Sequence, residues 1–102
     1  MNYTDTQLKA ALAKLLPKKT YLRVSTGVLI WSTGEPVRET ELLHLCWLVE
    51  DNLTKKEYGA YSDATYDLHL EIVAKTKKWF WLAMAWQQRV EALAKVKGIE
   101  IN

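Results

Sequence analysis

Cysteine occurs once in the 102 residues, as Cys46. A lone thiol rules out an internal disulfide framework and any cysteine-based zinc cluster, and it suits a reducing, cytoplasmic setting. Glycine is almost as scarce. Gly27, Gly34, Gly59 and Gly98 stand apart from one another, so no glycine-rich loop of the kind that cradles phosphates can form. Long apolar runs are also missing. The longest, from Trp79 to Trp86, has eight residues, against the roughly 20 that a membrane-spanning helix needs. Nor does charge of one sign dominate. Lys and Arg number 14 against 12 Asp and Glu, a net +2, well short of the basic excess expected of a dedicated nucleic-acid binder. The first sixteen residues carry Asp5, Lys9 and Lys14 and lack an unbroken apolar stretch, which argues against a secretory signal.

What remains has the composition of a folded domain: 49% apolar and 25% charged residues, in a chain long enough to bury a core without metals or disulfides. Tryptophan and tyrosine are plentiful, with five of each. Large aromatics dominate the energetics of both cores and interfaces.

Local patterning predicts an α+β fold in one domain, 1–102: a small two-layer arrangement of hairpins packed with helices. Residues 4–16 read as an amphipathic helix, capped by Thr4 or Asp5, carrying Leu8, Leu12 and Leu15 on one side and stopped at Pro17. A hairpin over 20–33 follows, with Ser25-Thr26-Gly27 as its turn and Thr33–Pro36 as its exit. Residues 40–53 give the strongest helical pattern. Leu42, Leu45, Cys46, Val49 and Leu53 share a face, and only a strip with His44 and Asp51 looks wet, the pattern of a central, nearly enclosed helix. Thr54 and Glu57 form a capping box, with Leu53 and Tyr58 as a staple around it, opening a short helix over 55–61. In 66–72 Tyr66, Leu68, Leu70 and Ile72 alternate with Asp67, His69 and Glu71, which favours a strand and hence a second hairpin over 65–84. The alternative for its later part is one long helix from about 77 to 97. Residues 86–97 are helical on either reading, closed by Gly98. The pair Thr-Tyr at 20–21 and again at 65–66 raises the idea of a duplicated hairpin-helix unit.

The stretches TELLHLCWLVEDNLT (40–54) and WQQRVEALAKVKGIEI (86–101) resemble parts of small uncharacterised proteins of bacteriophages and cyanobacteria. The likeness covers under a third of the chain and implies a small accessory protein of a mobile element or its host. It transfers no site residues.

Candidate chemistry is sparse. Asp67, His69 and Glu71 on a strand would lie about 7 Å apart on one side, but a metal needs further ligands converging from elsewhere, so a solvated face is the simpler account. His44 and Asp51 are two helical turns apart, about 10 Å, too far for a base and its orienting group. Cys46 lies on an apolar face, where a thiol behaves as a small hydrophobe. These patterns predict no enzyme, no cofactor and no metal. The tryptophan-dense segment points elsewhere. On a strand, Trp79 and Trp81 face one way and Phe80 and Met84 the other; on a helix both sides are again apolar. Such a segment suits contact with another protein, as aromatics and methionine do at interface centres. The expected contact residues are therefore Trp79, Phe80, Trp81 and Met84, in a module that binds a protein partner, self-associates and does not enter a membrane. The alternative is an accessory nucleic-acid binder, in which Lys75, Lys77 and Lys78 attract phosphates beside rings on which bases stack.

Overall fold

The computed structural model describes residues 3–76 and 85–101. Their element order is α1 (Asp5–Leu15), β1 (Thr20–Arg23), β2 (Val28–Trp31), α2 (Glu39–Asp51), α3 (Lys55–Thr76) and α4 (Trp86–Lys97), four helices and one antiparallel hairpin, an α+β fold.

α1 starts where the sequence requires it. Thr4 Oγ1 accepts from the Gln7 amide at 3.2 Å, and the Thr4 amide donates to Gln7 Oε1 at 2.8 Å, so two amides that the helix leaves unpaired are satisfied reciprocally. Leu8, Ala11 and Leu12 are its buried face. After Pro17 the chain turns through the Leu16 carbonyl, which accepts from the Thr20 amide at 3.0 Å and from its hydroxyl at 3.1 Å. β1 and β2 then pair with Thr20 opposite Trp31 and Arg23 opposite Val28. The turn between them needs a left-handed residue, and Gly27 supplies it at φ +68°. A methyl group there would also come within 3.3 Å of Thr6, where the hairpin turn rests on α1. The exit loop folds back along β2. The Trp31 amide donates to the Glu35 carbonyl at 2.8 Å and the Val37 amide to the Leu29 carbonyl at 2.9 Å.

The second hairpin expected over 65–84 is not formed in its first half. Residues 65–76 belong to α3, which also extends the expected 55–61 helix to 22 residues. The physical reason lies upstream. The Thr54–Glu57 capping box forms as expected, with the Thr54 amide donating to Glu57 Oε1 at 2.9 Å and the Glu57 amide to Thr54 Oγ1 at 3.2 Å. Once nucleated, a helix gains one hydrogen bond for each residue added, and no glycine or proline interrupts 60–76. Residues 61, 64, 65, 68 and 72 (Tyr, Ala, Thr, Leu, Ile) also supply a helical stripe, which the period-two reading of 66–72 overlooked. The expected return strand, from Trp79 to the end of the hairpin at 84, lies outside the described residues, as do Lys77 and Lys78 of the expected turn. A single helix over 77–97 is excluded at its joint, because Ala85 is extended (φ −76°, ψ 173°) and caps α4. The duplicated unit fails too, since the second Thr-Tyr pair sits inside α3.

The central helix is α4, not α2. α4 packs against α1, α2 and α3 and buries Trp86, Val90, Ala92, Leu93 and Ala94, while α2 leaves His44 and Asp51 exposed and Trp47 48% exposed. α4 ends in a Schellman turn: Gly98 takes φ +70°, the Ile99 amide donates to the Ala94 carbonyl at 2.8 Å, and Ile99 packs on the core. One core cluster unites Leu8 and Leu12 of α1, Leu29 of β2, Leu42, Leu45 and Val49 of α2, Tyr61 of α3, and Val90 and Leu93 of α4.

Candidate functional site

Trp79, Phe80, Trp81, Met84, Lys77 and Lys78 lie outside the described residues. Lys75 is in the last turn of α3. The end of the tryptophan-rich run is visible. Trp86 is buried in the core, and its carbonyl accepts from the Cys46 thiol at 3.8 Å. The likeness-bearing stretches 40–54 and 86–101 turn out to be α2 with the following cap, and α4 with its Schellman turn.

The helical register of 66–76 dissolves the three-ligand face. Positions 67 and 71 fall on one side of α3 and position 69 on the other. Among the described residues no group of three His, Cys, Asp or Glu could hold a metal ion. His44 instead meets Trp47 edge to face, with ring centroids 6.4 Å apart.

The most developed polar arrangement is one that the sequence reading missed, where α2, α3 and α4 meet. Arg89 of α4 is 7% exposed, and its Nη1 donates to Glu50 Oε1 of α2 at 2.8 Å. The Tyr61 hydroxyl of α3 donates to the same oxygen at 2.5 Å. One carboxylate therefore joins three helices, with its charge compensated and hydrogen-bonded, as burial of a charge demands. The neighbourhood disfavours further ionisation. Burial, and then the bond to Glu50, push the Tyr61 phenol well above its ordinary range. Burial, and then the Glu50 charge, push the Cys46 thiol up to about 12. Neither group is a ready nucleophile or base at neutral pH, and Glu50 is committed to two donors. The arrangement clamps helices together. Its signal in the sequence is Arg89, a cation set between Trp86, Val90 and Leu93 on an otherwise apolar face, which calls for a buried partner.

Two surface features complete the description. An open groove between α3 and α4 is lined by Ala60, Asp63, Ala64, Asp67, Lys95 and Val96. Beside it α3 exposes large apolar side chains, with Tyr66 60% and Leu70 52% accessible. No family model, curated protein or solved structure matches this chain, and no described helix is long and apolar enough to cross a membrane.

Proposed function

We propose that the chain is a small non-enzymatic protein–protein interaction or regulatory module, which contacts its partner through Trp79, Phe80, Trp81 and Met84 and also self-associates. An inhibitor of a host factor, encoded by a mobile element, is one concrete form of this reading. The supporting observation is the concentration of aromatic and apolar side chains at 79–84 in the sequence, the residue types that interface centres favour. The exposed Tyr66 lies on the helix that precedes that segment in the chain. Among the described residues, the buried Glu50–Arg89–Tyr61 cluster ties α2, α3 and α4 together, which gives these polar groups a structural role.

The test is affinity capture followed by quantitative binding to the captured protein, using Trp81→Ala and Met84→Ala. Truncation at interface anchors costs 2 kcal/mol or more, roughly thirtyfold in affinity, and here the melting temperature should stay close to that of the parent. Unchanged binding in both variants overturns the assignment of these residues. Salt-sensitive gel-shift binding of nucleic acid that disappears in Lys77→Glu/Lys78→Glu would replace the reading with the nucleic-acid one.

A further inference from the structure

Residues 56, 60, 63, 67, 70 and 74 of α3 (Lys, Ala, Asp, Asp, Leu, Ala) recur at steps of four and three, the spacing of a seam on which two helices meet. All six are exposed. The charges on this seam are segregated, with Lys56 in the first turn and Asp63 and Asp67 two and three turns later. Within one chain Lys56 cannot reach Asp67, and Asp63 and Asp67 share their groove with Lys95 without an ion pair to it. Lys56 and Asp67 are eleven residues apart, about 16 Å along the axis, and among the described residues none of the three has an ion-pair partner. A two-fold axis across α3 would run it antiparallel to its own copy and lay each Lys56 against the other copy's Asp63 and Asp67; a parallel pairing would set like on like. Gly59 and Ala60 lie between the charged groups. Nothing stands within 4 Å of where a Gly59 side chain would project, so two backbones can approach closely there. Leu70, 52% exposed, lies about one turn beyond the acidic pair on the same face.

We infer that the α3 seam is an isologous homodimer face, whose occupant is a second copy of this chain held by reciprocal Lys56–Asp63/Asp67 contacts. The inference rests on the self-association proposed above and assigns it to residues other than Trp79, Phe80, Trp81 and Met84. A single helix pair buries an area at the low end for specific interfaces, so the dimer is weak and salt-sensitive.

Sedimentation equilibrium on the full chain tests it. At low salt and high concentration the mass should approach twice 11.8 kDa, and it should fall towards the monomer as salt is added. Lys56→Glu alone and Asp63→Lys/Asp67→Lys alone should each be monomeric, whereas an equimolar mixture of the two should regain the dimer mass. That restoration cannot arise within a chain, because each contact in the mixed dimer joins one variant to the other. If charge reversal compromises folding, as read by circular dichroism, Lys56→Gln should still raise the dissociation constant roughly tenfold. A wild-type chain that stays monomeric at its highest concentration overturns the inference. So does a wild-type dimer whose mass survives these substitutions, or variants that fail to restore it on mixing. Trp81→Ala leaves the seam untouched, so loss of partner binding with the dimer intact separates the two proposals.

Discussion

Raising the pH from 8 to 10 should destabilise this protein chiefly through Cys46. Cys46 has no accessible surface in the folded state. Burial, followed by the negative charge of Glu50, moves its thiol from 9.0 up to about 12. An acid whose folded pKa is raised keeps its proton in the native state while the unfolded chain releases it. The native state therefore holds more protons between the two values, and stability falls as pH rises through that window. By pH 10 the unfolded thiol, one unit above its pKa, gains RT ln(1 + 10), about 1.4 kcal/mol, while the native thiol gains almost nothing. With a urea dependence of about 1–3 kcal/mol/M for a domain of this size, the unfolding midpoint should drop by roughly 0.5–1.4 M.

The Tyr61 phenol, also held up by burial and by its bond to Glu50, contributes in the same direction, so the decisive quantity is a difference. Cys46→Ala should be less stable than the parent at pH 8, because it leaves a small cavity, yet it should lose less stability between pH 8 and 10. The two urea curves should converge as pH rises. Equal losses in both proteins would refute the reasoning, since they would mean that the native thiol ionises as freely as the unfolded one. The same burial predicts that a disulfide reagent labels the native thiol no faster than the protein opens.

Glu50→Gln removes the charge that balances Arg89 and should cost about 3 kcal/mol in chemical denaturation, whereas Glu50→Leu/Arg89→Met should recover much of the loss by removing both charges. Gly59 sits inside α3 with open space around it, so Gly59→Ala should raise stability by about 0.5–1 kcal/mol, read as a melting temperature higher by several degrees. Glu57 has its carboxyl held below 4.5, first by the Thr54 amide and then by Lys97. Its contribution is therefore present above 4.5 and lost as pH falls through the lower folded value, and Glu57→Gln should flatten the acid side of a melting-temperature profile. At the exposed Asp67, measured at dilute concentration, Asp67→Gly should be about 1 kcal/mol less stable than Asp67→Ala, and equal stability would count against a helix interior at that position.

The parts of the fold that were legible are those where one local rule acts alone. Thr4 and Gln7, Thr54 and Glu57, Gly27 and Gly98 each mark a boundary through a backbone group that needs a partner or a φ that only glycine takes cheaply. The hairpin at 20–33 and the helix at 86–97 follow from such marks. α3 was misread because two periods coexist in 66–72. The set 66, 68, 70, 72 alternates, while 61, 65, 68, 72 is a helical stripe continuous with the capped start. Length decides between them, since a helix already begun at Lys55 costs less to extend than to end and replace with a strand. The rank of α2 and α4 was inverted for a related reason. Hydrophobicity made α2 look enclosed, but Leu43, Trp47 and Leu48 widen its apolar arc, and Trp47 is left half in solvent. α4 is poorer in large apolar residues and better placed, with Ala92 and Ala94 letting its neighbours approach on several sides.

The same contrast bears on function. A pairwise site such as Glu50–Arg89 joins positions 39 residues apart, and no periodicity carries information over that separation. The only local trace is Arg89 itself, a charge where the stripe around it is apolar. The α3 seam is the opposite case. Its spacing is local and fully written in the sequence, yet it has meaning only once 55–76 is known to be one helix, because on a strand positions 56, 60, 63, 67 and 70 would not share a face. Correcting the strand to a helix therefore changed more than the architecture. It removed the three-ligand face at 67–71 and in the same step aligned Lys56 with Asp63 and Asp67.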